Sequence, residues 1–308
     1  MLDRIYFLLI LFAFTCINPV FSSGGQDLAS EDPEAFITVI DSRGEKIVLP
    51  DYPETVVSLG PNITETIYAL QKGDLLVGRS DYCDYPEQVL SIQTVGSLQE
   101  PNLEAIVDLN PDLVLASTHV SIDSLQALSG FGIPVAMLYG QEDFSGLYTV
   151  ISGCGTLLGA EDEAEKLLTD IELRKNKILA ALAERSGRPS VYYALGFGDS
   201  GDWTAGSGTF IDSMIGLAGG DNIVTQEGWS YSKEMLVEKD PQLIILGSGQ
   251  RDAFLSLPLY KDLSASVGGK VYEIDENLLV RQGPRLIDGL ETLFAIFEES
   301  FEGSLEQE

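Results

Sequence analysis

Residues 102–117, Asn-Leu-Glu-Ala-Ile-Val-Asp-Leu-Asn-Pro-Asp-Leu-Val-Leu-Ala-Ser, recur in altered form at 232–247 as Ser-Lys-Glu-Met-Leu-Val-Glu-Lys-Asp-Pro-Gln-Leu-Ile-Ile-Leu-Gly. Glu104, Val107, Pro111 and Leu113 align with Glu234, Val237, Pro241 and Leu243. In each copy a short helix with one apolar face ends at Asn110 or Asp240, because the following Pro disfavours αR backbone, and a run of Leu and β-branched residues then reads as a buried strand. Two such units 130 positions apart (Glu104 to Glu234) are too distant for a solenoid and suit two similar lobes. Each copy carries a glutamate on the first turn of its helix. Alone, such a residue need only favour the positive end of the helix dipole; as a pair, the two would be presented equivalently by both lobes.

The 308 residues can hold two domains, each with its own core. The chain has 48 acidic and 18 basic residues, a net charge of −30 and no basic cluster, which argues against nucleic acid and anionic membrane surfaces as partners. Arg4, the apolar run 5–13, and Val20 and Ser22 at the −3 and −1 positions of a cleavage site make residues 1–22 a signal peptide. Export follows. Cys16 is a candidate for lipid attachment, although Thr15 is a poor residue before the cut. Residues 23–35 read as a polar leader. Cys83 and Cys154 would meet an oxidising compartment, but sequence cannot place them within bonding range, so free buried thiols are the default and a disulfide the alternative.

The folded part begins with two short strands around a turn at 41–44 within residues 36–49. A strand at 54–59, a helix through Leu70 capped by Asn62 or Thr64, and a strand at 75–78 follow. The first repeat, a helix at 122–128 and a strand at 134–139 complete an N-terminal α/β lobe over 36–159. From Glu161 to Arg185 no Gly or Pro interrupts a helical pattern, and a linking helix is assigned to 160–187. The C-terminal lobe, 188–300, repeats the alternation: a strand at 190–195, a helix at 210–217, the second repeat, a strand at 270–274 and a last helix at 284–299. An acidic tail, 301–308, is expected to fray. This is an α/β fold of two Rossmann-like lobes with mostly parallel sheets, joined by one long backbone helix. A ligand cleft is expected where the strand ends of the two sheets face each other.

Some motifs are misleading. Residues 196–201 spell G-x-G-x-x-G after a strand, but no helix opens at the third glycine, so nucleotide binding does not follow. The embedded Gly-Asp-Ser-Gly resembles a serine-protease nucleophile loop. The single histidine, His119, has no independent support as a base and reads as an ordinary surface or packed residue. One histidine and few cysteines exclude a usual zinc site. Positive signals lie in loops at strand ends: Tyr82, Trp203 and Trp229 offer flat apolar contact, and Arg281 and Arg285 offer forked donors.

At this point the chain from about Val56 to Phe297 resembles the periplasmic substrate-binding proteins of ABC importers for vitamin B12, ferric siderophores or haem, the helical-backbone class. The resemblance is carried by residues 57–65 (Val-Ser-Leu-Gly-Pro-Asn-Ile-Thr-Glu), 78–86, 102–104 with 111–114, 203–206 (Trp-Thr-Ala-Gly) and 281–285 (Arg-Gln-Gly-Pro-Arg). It implies that Glu104 and Glu234 dock onto arginines of the membrane permease. It also implies that Pro61, Asn62, Tyr82, Trp203, Trp229 and Arg281 stand at the cleft. Leu98 and Ser117 stand where one B12 binder of this class carries tryptophans, and Asn277 where it carries an acidic residue. The expected function is capture of a corrinoid by a monomeric protein and its delivery to a permease with a cytoplasmic ATPase, with no catalytic site, resident metal or catalytic cofactor. A ferric siderophore or haem is the alternative within the class; an exported α/β hydrolase, or a sensor or adhesion module without a permease, are the rivals outside it.

Overall fold

The computed structural model describes residues 37–199 and 201–305; the signal peptide expected at 1–22, Cys16, the leader at 23–35 and Ser200 lie outside them. A hairpin of β1 (Ile37–Ile40) and β2 (Lys46–Leu49) precedes the first lobe. That lobe runs β3 (Val56–Leu59), α1 (Pro61–Ala69), β4 (Leu76–Arg79), α2 (Leu103–Leu109), β5 (Leu113–Ala116), α3 (Ile122–Gly130), β6 (Val135–Met137) and α4 (Gly146–Leu158). Its four strands are all parallel, in the order β4-β3-β5-β6. Every residue of β3 and β5 is buried, as apolar runs covered on both faces must be.

Helix α5 (Glu161–Ala183) follows; its 23 residues reach about 34 Å at the standard rise. The second lobe contains β7 (Ser190–Gly196), β8 (Asp202–Thr204), α6 (Phe210–Leu217), β9 (Asp221–Asn222), β10 (Ser230–Tyr231), α7 (Lys233–Lys239) and β11 (Leu243–Gly247). It closes with α8 (Arg251–Ser256), α9 (Pro258–Lys261), α10 (Ser264–Val267), β12 (Val271–Ile274), α11 (Asn277–Val280) and α12 (Leu286–Leu305). The sheet order is β10-β8-β7-β11-β12, with β9 also on β7; β7, β9, β11 and β12 are parallel, whereas β8 and β10 are antiparallel additions at one edge. The fold class expected from sequence is thus present, with two antiparallel strands that the repeat pattern did not announce. The last helix is also longer than expected, entering the tail as far as Leu305.

The two repeats are alike in backbone detail. Asn102 caps α2 by accepting from the Ala105 amide at 3.1 Å, and Ser232 caps α7 by accepting from Met235 at 3.1 Å. Both helices end in left-handed residues, Asn110 (φ 46°) and Asp240 (φ 40°), immediately before the prolines. Asn and Asp tolerate this conformation at the lowest cost among residues with a β-carbon.

Helix α1 is capped differently from expectation. Gly60 is its N-cap and Pro61 its first residue, with no side-chain cap. Thr64 instead donates to Ser58 Oγ at 2.8 Å, and Asn62 Nδ2 reaches Gln282 O at 3.4 Å in the other lobe. With glycine at the N-cap, Asn62 and Thr64 stand inside the first helical turns rather than at the capping position, and their side chains take other partners.

Cores also lie on the outer faces of both sheets, but the largest is shared. It runs from Val56, Ile63 and Leu115 through Leu147, Ile151 and Ile171 to Tyr193, Ile287 and Phe297. Helix α4 packs on α5 because Gly155 lacks a side chain: a Cβ there would lie 2.7 Å from Ala164 Cβ. On the far side Arg174 of α5 bonds Asp288 and Glu291 of α12 at 2.5–2.9 Å. Cys83 and Cys154 are both free and buried, and burial pushes the Cys154 thiol up to about 12.

Candidate functional site

The sheet order places a switch point between β3 and β5, whose outgoing loops diverge and open a crevice at the carboxyl ends of the strands. A cleft of about 500 Å³ occupies that place, within the usual range for small-molecule sites. It is walled by residues following β3 (Gly60, Pro61, Asn62), β4 (Tyr82) and β5 (Ser117, Thr118, His119), and from the second lobe by Leu195, Phe210, Trp229 and residues 280–282. Gly60 is needed here: a Cβ on it would lie 2.9 Å from that of Ser117, so any side chain would force the two loops apart. Other concavities, at the α4–α5 junction and beside the β1–β2 hairpin, take their walls from one side of the molecule only.

Five of the six residues expected at the cleft line it: Pro61, Asn62, Tyr82, Trp229 and Arg281. Tyr82 and Trp229 are about half exposed, at 53% and 45%, and come from opposite lobes. Trp203 is outside the lining and is 59% exposed. Register explains its position. Trp203 pairs with Ser230, and the Thr204 amide donates to Trp229 O at 3.0 Å, so Thr204 and Trp229 share one face while Trp203 points to the other. Beneath it, buried Asp202 accepts from Tyr192 Oη at 3.1 Å and from Tyr260 Oη. The glycine-rich loop at 196–201 is held from the same side, Gly198 N donating to Tyr260 Oη at 3.1 Å and Lys233 Nζ donating to Gly198 O at 2.5 Å.

Arg281 does not stand free. Its Nη1 donates to Glu65 at 2.8 Å and to Asp84 at 2.7 Å, both in the first lobe. Arg285 grips the same buried Glu65 through Nε and Nη2 at 3.0 and 2.7 Å and lies over the Tyr85 ring at 3.9 Å. Burial disfavours the charged form of both arginines, but their carboxylate partners outweigh it and raise both pKa values. The hydrogen bond from Arg281 in turn holds the Asp84 carboxyl below its usual range. The pair therefore clamps the lobes at the end of the cleft, and the clamp presents one edge of Arg281 to it.

Several lining residues carry no motif that marks them in the sequence. Leu98, Ser117 and Asn277, noted only as departures, all face the cleft, and so does His119. A lone histidine carries no motif, and only its place three residues beyond β5 marks it. Glu104 and Glu234 are exposed on the first turns of α2 and α7, and neither enters an ion pair among the described residues. Among the described residues no group of three or more His, Cys, Asp or Glu is arranged to hold a metal ion, and no helix is long and apolar enough to cross a membrane.

Two α/β lobes with parallel sheets, a single long connecting helix and a cleft between strand ends define an extracytoplasmic solute-binding architecture. The periplasmic binding protein family profile matches residues 56–278, and the chain belongs to that family. An uncharacterized ABC transporter substrate-binding lipoprotein, YvrC of Bacillus subtilis, is 30% identical over 93% of each chain. A cobalamin-binding protein of Halobacterium salinarum is 30% identical over 82% of this chain and 71% of its own. Among solved structures, the periplasmic haem-binding protein RhuT of Roseiflexus superposes with a TM-score of 0.74 at 25% identity, over 80% of this chain and 98% of that one. The vitamin B12-binding protein BtuF of Vibrio cholerae superposes with a TM-score of 0.70 at 25% identity, over 80% and 98%. The family consists of binding proteins rather than enzymes.

Proposed function

We propose that this protein is the extracytoplasmic substrate-binding component of an ABC importer, that it captures a corrinoid of the vitamin B12 type between its lobes, and that it performs no catalysis. The observation that carries this reading is the cleft itself: two half-exposed aromatic planes, Tyr82 and Trp229, reach it from opposite lobes above apolar walls that include Leu98, Leu195 and Phe210. Such surfaces suit the faces of a large flat macrocycle and lose little entropy on contact. Arg281, anchored by Glu65 and Asp84, supplies a fixed donor edge for a peripheral amide oxygen. The relatives named for cobalamin support a corrinoid over other macrocycles. Glu104 and Glu234 are the contacts to the permease.

The mature chain, incubated with cyanocobalamin, haem or a ferric hydroxamate siderophore and then desalted, should retain cyanocobalamin at one molecule per chain, read by absorbance. Retention of haem or the iron chelate in place of cyanocobalamin would overturn the corrinoid assignment and leave the transport role intact.

A further inference from the structure

His119 is the sole histidine of the chain, and the fold places it in the wall of the cleft on the loop leaving β5. It has no packing role, being exposed, and no ion pair among the described residues. Its backbone is left-handed, with φ 75°. A residue with a β-carbon adopts this region at a cost, and such outliers concentrate where a ligand is clamped. Thr118 Oγ1 lies 3.0 Å from its Nδ1. In the tautomer protonated at Nδ1, that nitrogen donates to the hydroxyl and the lone pair is left on Nε2; a hydrogen bond at one ring nitrogen is how metal-ligating imidazoles are oriented.

A free metal ion has no set of ligands here, since no cluster of donor side chains surrounds the histidine among the described residues. A metal that His119 could bind must therefore arrive with its equatorial positions already filled, leaving an axial one open to exchange. We propose that Nε2 of His119 becomes an axial ligand to the cobalt of the corrinoid held in the cleft, an inference that rests on the corrinoid reading. With aquocobalamin the step is a substitution: the cobalt–oxygen bond breaks, water leaves with its electron pair, and the Nε2 lone pair forms the cobalt–nitrogen bond. No electron or proton is transferred. The cleft then favours corrinoids whose upper ligand exchanges over those whose upper ligand is held firmly, such as cyanide.

Absorption spectra of the stoichiometric complexes of the mature chain with aquocobalamin and with cyanocobalamin test this. His119→Gly and His119→Asn are the variants, because Gly adopts the left-handed backbone freely and Asn tolerates it. In the unmodified protein the aquocobalamin bands should move to the positions that free imidazole produces on the same corrinoid. Both variants should bind aquocobalamin with unmoved bands and at least about tenfold more weakly, a loss larger than any change in their cyanocobalamin affinity. Unmoved bands in the unmodified protein, or identical shifts in the variants, would overturn the axial role and leave corrinoid binding standing. Binding of neither cobalamin by the unmodified protein would overturn both.

Discussion

Trp203 on β8 and Trp229, the residue just before β10, stand one position apart in register, and that single step sends them to opposite faces. Their contributions to binding should differ accordingly. Trp229→Ala should weaken cyanocobalamin binding by about 1–3 kcal/mol, the cost of removing an aromatic anchor, whereas Trp203→Ala should leave the dissociation constant unchanged. Isothermal titration of both variants decides it, and equal losses would show that the register argument is wrong. Sequence could locate both tryptophans in strand-end loops but could not assign faces, because neither β8 nor β10 is long enough to display an alternation. Arg281 was legible as a cation at a strand end; its carboxylate partners lie 216 and 197 positions away and leave no local trace. The same holds for His119, whose meaning comes from the crevice around it.

At the scale of elements, the repeat made α2, β5, α7 and β11 readable, because a cap, a proline and a buried strand are local chemistry repeated twice. Helix α4 was not readable. Its glycines at 146, 153 and 155 lower helical propensity, and they are retained for close approach. Gly155→Ala makes the competition measurable. The helix gains about 1 kcal/mol of propensity, but the new Cβ meets Ala164 Cβ at 2.7 Å between two helices that cannot easily part, and overpacking costs about 1–3 kcal/mol. The steric term should win, lowering the denaturation midpoint, and Ala164→Gly in the same chain should recover most of the loss. A stabilised single variant would mean that α4 and α5 yield to each other more readily than their packing indicates.

At the scale of the whole molecule, one core passes between the sheets, α5 and α12 are tied by Arg174, and Glu65 binds two arginines of the opposite lobe. A wide hinge swing would expose that core and strand a buried carboxylate, so closure over a ligand should be a small tilt. The pair Glu104 and Glu234 then rides on two bodies of nearly fixed geometry, which suits recognition by a receiver with matching positive groups. If the glutamates served only their helix dipoles, reversing each to Lys would cost about 0.3–1 kcal/mol of stability and nothing else. If they dock, reversal sets like charges against the permease, and that costs several kcal/mol of association. Glu104→Lys with Glu234→Lys should therefore keep cyanocobalamin affinity and lose stimulation of ATP hydrolysis by the reconstituted importer. Each single reversal should fall between, and the defect of a single reversal should shrink as salt screens the contact. Unimpaired stimulation by the double variant would remove these two residues from the docking surface, while a parallel loss of ligand binding would mean that they act through the fold instead.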